Sequence, residues 1–244
     1  MRVESEELRV KNVMKKRLYV VVILFTIHCS LFVSYAVAQT EPEYRLEVGG
    51  GVGMVSYEGD FNGNIFRNPQ AAFSLLAKYR YNPRVALAMN ISYMQLKGSA
   101  KDVKSYVPQQ WQDYTFKRKV GDVGLRLEYN FWPYGTGMEY RGAQRLTPYI
   151  FLGLGATVYK TDKAQLAMNM PLGFGVKYKA ADRVNVALEW AMHFTGSDRL
   201  DGVSDPYGIK SSGLFKNTDC YSHLRLSVSY DLWAKCKTCH NDRD

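Results

Sequence analysis

From residue 44 onward, apolar and polar positions alternate with a period of two in stretches of about ten residues, separated by turn residues. Eight such stretches are legible: Tyr44–Tyr57, Ala71–Tyr81, Val85–Lys97, Val120–Phe131, Tyr149–Tyr159, Met168–Lys179, Val184–Phe194 and Cys220–Trp233. In the third, Val85, Leu87, Met89, Ile91 and Tyr93 oppose Asn90 and Ser92. In the eighth, Leu224, Leu226, Val228, Tyr230 and Leu232 oppose Arg225, Ser227 and Ser229. Successive side chains of a strand point to opposite faces, so each stretch predicts a β-strand with one apolar side.

Alternation alone fits any half-buried strand. Three correlated features narrow it. In every stretch the apolar face is nearly free of charge. The opposite faces carry both signs: Arg45, Lys78, Arg80, Arg126, Lys177, Lys179 and Arg225 with Glu47, Glu128 and Glu189. Aromatic residues recur near the ends of the apolar faces. A soluble sandwich hides its apolar face, whereas a membrane barrel turns it to lipid and closes the polar one inward, with aromatic girdles at both interfaces. Ten residues is the length a tilted strand needs to cross hydrocarbon. The expected fold is all-β: an eight-stranded antiparallel up-and-down transmembrane β-barrel over residues 39–233. A soluble lipocalin-like barrel is the alternative.

The connections give an expected orientation. Glu58–Gln70, Gly98–Lys119, Lys160–Ala167 and Thr195–Asp219 are long, while Asn82-Pro83 and Ala181-Asp182 mark tight turns. Outer-membrane barrels keep short turns in the periplasm and long loops outside, which places both termini in the periplasm. Trp132–Pro148 breaks the rule as a long periplasmic turn. It reads as a tolerated insertion or as a docking surface, with Trp132, Tyr134, Glu139, Arg141 and Arg145 as contact candidates.

Residues 1–38 read as an N-terminal extension and signal peptide. Met14-Lys15-Lys16-Arg17 precedes an apolar run, and Ala36-Val37-Ala38 is a small-x-small cleavage site. Met14 is the better start of that signal. Removal of residues 1–38 takes away six Lys/Arg and three Glu, so the net charge falls from +9 to +6. The remaining excess is modest and spread out, which argues against a nucleic-acid partner. An apolar content of 46% excludes disorder. The 18 tyrosines are expected in the two interfacial girdles.

An eight-stranded barrel has room inside for little more than side chains. The inward charges are therefore expected to interlock as ion pairs that plug the lumen, since an unpaired buried charge is costly. A porin is excluded on that ground. Catalysis would need a constellation built from His193 or His223 with Ser222 or Glu189. Ser222 and His223 are adjacent, so they point to opposite faces, and a non-enzymatic protein is expected. Residues 234–244 form a tail carrying Cys236-Lys-Thr-Cys239-His240. As a string it matches a c-type haem attachment motif. With no helix or pocket around it, a Cys236–Cys239 disulfide or a bond to a partner is the better expectation in an oxidising compartment. Zinc lacks an evident fourth ligand. No cofactor is expected.

Val48-Gly-Gly-Gly-Val-Gly-Met-Val-Ser-Tyr57-Glu-Gly-Asp-Phe-Asn62 resembles the first strand and loop of a family of small outer-membrane barrels. That family includes the barrel subunit of the type IX (Por) secretion system. Pro171-Leu-Gly-Phe-Gly-Val-Lys-Tyr-Lys179, Asp182-Arg183 and Asp198-Arg-Leu-Asp-Gly-Val-Ser204 are similar to its sixth and seventh strands and last loop. The resemblance spans about residues 44–233. It implies a non-enzymatic component of a protein-export machine in the outer membrane of a Gram-negative bacterium. Its partners would be outer-membrane lipid and periplasmic subunits, lipoprotein ring components among them. The alternatives are a barrel that binds lipopolysaccharide or surface ligands through its outer loops, and a lipid-modifying enzyme.

Overall fold

The computed structural model describes residues 44–59, 61–62, 64, 67–102, 108–136, 143–161, 163–197, 199–203 and 218–234. The signal segment, the Cys236/Cys239/His240 tail, Glu139 and Arg141 lie outside them.

Eight strands form in chain order: β1 Tyr44–Glu58, β2 Gln70–Arg80, β3 Val85–Ser99, β4 Thr115–Asn130, β5 Leu146–Lys160, β6 Ala164–Lys179, β7 Val184–Thr195 and β8 Cys220–Ala234. Each pairs antiparallel with the next, and β1 pairs with β8, so the sheet closes into a barrel. The seam is long: its register runs from Tyr44 opposite Ala234 to Glu58 opposite Cys220. Closure leaves no strand edge with unpaired backbone groups, which a bilayer would not tolerate. The strands are 11 to 16 residues long, beyond the ten of the alternating stretches.

One end holds the tight turns 81–84 and 180–183 beside the long 131–145 connection. At the 81–84 turn the Asn82 side-chain oxygen accepts from the backbone N–H of Arg84 (2.8 Å) and Val85 (2.7 Å). That Asx arrangement reverses the chain ahead of β3. The 180–183 turn is closed by backbone bonds between Ala180 and Val184. The opposite end carries the longer connections, with two short 3₁₀ turns at Ala100–Asp102 and Gln109–Trp111. The expected long loop Lys160–Ala167 is instead a three-residue link, because β6 begins at Ala164.

The outer surface is an apolar belt. Val52, Phe73, Leu75, Leu87, Ile91, Leu125, Leu127, Leu152, Leu154, Phe174, Leu188 and Leu226 are all exposed. Facing them inward at the same heights are Glu47, Lys78, Arg126, Glu128, Lys177, Glu189 and Arg225, all buried. A barrel with apolar residues outside and charges inside is inverted relative to a soluble protein, and lipid is the solvent that suits it. At the turn end Tyr79, Tyr81, Phe131, Trp132, Tyr178, Tyr230 and Trp233 are exposed as an aromatic girdle. At the loop end Phe73 and Tyr93 stand out.

The tyrosines do not all belong to girdles, contrary to the expectation from composition. Tyr57, Tyr134, Tyr149, Tyr159 and Tyr221 are buried. Tyr44, which shares the parity of Leu46 and Val52, is buried too, its ring 5.0 Å from the Lys179 ammonium and 5.6 Å from the Arg183 guanidinium.

Candidate functional site

The lumen is filled in three layers. Nearest the turn end is a continuous charge network. Glu47 accepts from Arg80 at 2.6 Å and lies 3.7 Å from Lys78. Asp231 takes Arg80 at 2.8 Å and Lys179 at 2.5 Å. Glu128 gathers Arg126 at 2.9 Å, Lys177 at 3.2 Å and Lys78 at 3.3 Å. Glu189 is held by both guanidinium nitrogens of Arg126, each at 2.7 Å, and also by Arg225. Each carboxylate thus meets at least two cations. That is how a buried charge offsets its desolvation cost.

Neutral side chains complete this layer. Ser229 donates to Glu47, Asn185 to Asp231 and Tyr149 to Glu189. The Arg126 guanidinium lies 4.2 Å from the Phe151 ring centre, and the Lys177 ammonium 4.5 Å from that of Tyr149. Glycines make space for these groups. A Cβ at Gly153 would collide with the Leu125 carbonyl and the Arg126 side chain, and one at Gly173 with the Phe151 ring. The glycine-rich strands therefore serve close packing rather than flexibility.

The middle layer is polar and nearly neutral. Asp122 accepts from Tyr221 at 2.8 Å, Thr157 at 3.0 Å and Asn169 at 2.5 Å. His193 stacks on Tyr221 with ring centres 4.4 Å apart, and His223 lies 6.4 Å from His193. A small cavity lies beside them, lined in part by Asn90, Asp122, His193, His223 and Arg225. It has room for about one ordered water.

The loop end is closed by an apolar plug. Val55, Tyr57, Phe61, Met94, Leu96, Phe116, Val120, Tyr159, Leu200 and Val203 pack together inside the strand ends, with Trp111 and Tyr114 against them. The Tyr57 hydroxyl donates to Asp201 at 2.9 Å and also to Asp219. Asp219 in turn accepts from the Leu200 backbone N–H at 2.7 Å. Tyr114 donates to the Asp201 carbonyl at 2.8 Å, and burial together with the Asp201 charge raises the pKa of its phenol.

At the turn end Tyr134, just after β4, lies under the lumen. Tyr134 is buried and donates to Asn185 at 2.7 Å, with Arg80 and Lys177 each 5.3 Å from its ring centre. Burial raises its pKa far above that of an ordinary phenol. Arg80 opposes that shift, and Glu47 and Asp231 add to it.

The residues expected in the lumen network, Glu47, Lys78, Arg80, Arg126, Glu128, Lys177, Glu189 and Arg225, are brought together. Arg45 is not part of the cluster and sits half-buried near the barrel rim. Asp231, Lys179 and Tyr149 belong to it. Asp231 was legible from its parity with Arg225, Ser227 and Ser229. Of the partner-contact candidates, Trp132 and Arg145 are exposed, whereas Tyr134 is spent on sealing the barrel. The catalytic alternative is not assembled among the described residues. His193 and His223 face the lumen, and Ser222 lies on the other face of β8, opposite Ser56 and Met192. Glu189 is already committed to two arginines. No group of three or more His, Cys, Asp or Glu residues suited to a metal ion occurs among the described residues. Cys220 is a free thiol.

The family model for a domain of unknown function, DUF6089, matches residues 17–241. This chain belongs to the DUF6089 family. No curated protein matches it. Among solved structures, this DUF6089 chain is similar to Neisserial surface protein A (13% identity, TM-score 0.44, covering 77% of this chain and 97% of that one). It is also similar to the outer membrane protein OprG from Pseudomonas aeruginosa (14%, 0.46, 80% and 99%). A third is the outer membrane enzyme PagL (11%, 0.38, 76% and 99%). The membrane-barrel assignment rests on the DUF6089 chain's own apolar belt and charged lumen.

Proposed function

We propose that this barrel is a non-enzymatic anchoring component of a protein secretion apparatus of the type IX kind. In this reading it sits in the outer membrane of a Gram-negative bacterium with both termini in the periplasm. There it holds a periplasmic ring of lipoprotein and partner subunits to the membrane.

The observation that carries the reading is the lumen filled along its length. Tyr134 closes one end, four carboxylates and six cations interlock above it, and the Tyr57–Phe116–Leu200 plug closes the other. Such a barrel offers partners a fixed position rather than a passage. The resemblance of Val48–Asn62 and Pro171–Lys179 to the secretion-barrel family supplies the choice of apparatus. Exposed Trp132 and Arg145 at the turn end are the described residues available to periplasmic partners.

The test is affinity purification of the tagged chain from membranes, with identification of co-purified proteins, beside a deletion strain assayed for secreted cargo. Co-purified periplasmic lipoprotein subunits and a loss of secretion are expected. Trp132→Ala combined with Arg145→Glu should weaken the association while the barrel stays folded on an unheated gel. Intact secretion in the deletion strain, with no periplasmic protein co-purifying, overturns the reading.

A further inference from the structure

The outward faces of the eight strands are almost devoid of charge. On β1, β2, β6, β7 and β8 no Lys or Arg points outward. The outward-facing cations of the strands are four lysines on three consecutive strands, all at the loop end: Lys97 on β3, Lys117 and Lys119 on β4, and Lys160 on β5. Their register brings them together. Lys97 is directly opposite Lys117, and Gln95 is opposite Lys119. Lys119 immediately precedes, and Lys160 immediately follows, the Val120–Tyr159 pair. With strands about 4.8 Å apart and alternate residues about 6.8 Å apart, the four stems rise from a patch on the order of 10 Å across.

The patch starts where the apolar belt stops. On β3 the outward positions run Leu87, Met89, Ile91 and Tyr93 before Gln95 and Lys97. On β4 they run Tyr129, Leu127, Leu125 and Val123 before Gly121, Lys119 and Lys117. On β5 they run Ile150, Leu152, Leu154, Ala156 and Val158 before Lys160. About nine residues of tilted strand cross the hydrocarbon, so the ammonium groups emerge at the level of the lipid headgroups.

Like charges directly opposite each other on neighbouring strands repel. No ion pair to a described carboxylate accompanies any of the four, whereas nearby Lys101 pairs with Asp113 at 3.1 Å. An unbalanced cluster of this kind at headgroup depth is complementary to a multiply charged anion that lies in the membrane plane.

We propose that Lys97, Lys117, Lys119 and Lys160 bind the phosphate groups of a phosphorylated glycolipid, of the lipid A kind, in the leaflet on the loop side. The assignment rests on the orientation given under Proposed function, in which the loop end faces outward. The confinement of the lysines to β3–β5 makes this one lipid site on one side of the barrel rather than a uniform coat.

The experiment uses the full chain in neutral detergent, titrated with bis-phosphorylated lipid A, the same lipid A stripped of phosphate, phosphatidylglycerol, and inorganic phosphate. Bis-phosphorylated lipid A is expected to bind in preference to all three. The K97Q/K117Q/K119Q/K160Q variant should bind it about a thousandfold more weakly, and a K101Q/K163Q control should bind it as the parent does. The paired variants K97Q/K117Q and K119Q/K160Q, each giving a partial loss, keep the test open if the quadruple variant folds poorly. Undiminished binding in the variants, or equal binding of phosphate-free lipid A, phosphatidylglycerol or inorganic phosphate, overturns the proposal. Labelling of a Lys163→Cys variant on intact cells by a membrane-impermeant reagent reads the orientation separately, and an unlabelled cysteine there overturns the leaflet assignment. The isolated barrel contains no secretion partner. Failure of the ring-anchoring role therefore leaves these binding results standing.

Discussion

Arg126 grips Glu189 across the lumen through two parallel hydrogen bonds, both 2.7 Å long. Such a fork is the strongest geometry open to a guanidinium and a carboxylate. Glu189 also carries Arg225 and the Tyr149 hydroxyl, so one carboxylate bridges two buried cations. Glu189→Gln keeps the volume, takes the counter-charge from Arg225 and leaves Arg126 with Glu128 alone. It should destabilise the barrel by about 3–5 kcal/mol, read as a lower urea midpoint in lipid vesicles. Lys177→Met should cost less, because Glu128 retains Arg126 and Lys78. If the two variants are equally stable, the network is not organised around Glu189.

One hydroxyl ties together the two carboxylates of the cap at the loop end. Tyr57→Phe removes the donor shared by Asp201 and Asp219 while keeping the ring against Phe116, whose centre is 5.0 Å away. A loss of about 1–3 kcal/mol is expected from the under-satisfied carboxylates. Amide exchange around Leu200, whose N–H is bonded to Asp219, should accelerate while β3 and β4 stay protected. Unchanged exchange at Leu200 would show that apolar packing alone holds the cap.

Gly153 marks a close approach of β5 to β4. Gly153→Val has no room for its side chain beside the Leu125 carbonyl and Arg126, so the variant should fold in low yield or lose more than about 2 kcal/mol. Gly121→Ala is the control, because nothing lies within 4 Å of a Cβ there. Equal yields of the two variants would contradict the packing role.

Tyr134 makes stability depend on alkaline pH. Its folded pKa lies above the unfolded value of about 10, so above that pH the unfolded chain has lost a proton that the folded chain still holds. Stability is then present in full below pH 10 and falls as pH rises. Tyr134→Phe should cost about 1 kcal/mol at pH 8 through the lost Asn185 bond. Its urea midpoint should also fall less than the parent's between pH 9 and 11. Parallel slopes would remove Tyr134 as a contributor.

The parts of the barrel inside the bilayer are plain in the sequence. β3 begins at Val85, β7 at Val184 and β8 at Cys220, where the alternation places them, because lipid outside and charge inside impose a sharp period of two. Above the belt the pattern inverts. Phe116 and Val120 turn into the apolar plug while Lys117 and Lys119 turn outward, so β4 from Thr115 reads as loop when apolar residues are sought on one constant face. β6 shows no such inversion, since Leu166 and Met168 stay exposed on the lipid side from its first residues. The network was legible from parity alone, but its membership near the ends was not. Tyr134 and Tyr44 are drawn under the lumen by cations that lie far from them in sequence.

The β1–β8 seam has a consequence for how the protein is made. Glu47 on the first strand bonds Ser229 on the last, and Arg80 on the second reaches Asp231, ten residues after Tyr221 opens the last strand's inward row. These links join the first strands of the barrel to the last, so the early strands stay chemically incomplete until β8 is in place. A slip of one residue along the seam would aim Glu47 at hydrocarbon. The ion pairs therefore act as a checksum on assembly, accepted only when the final strand arrives in the correct register.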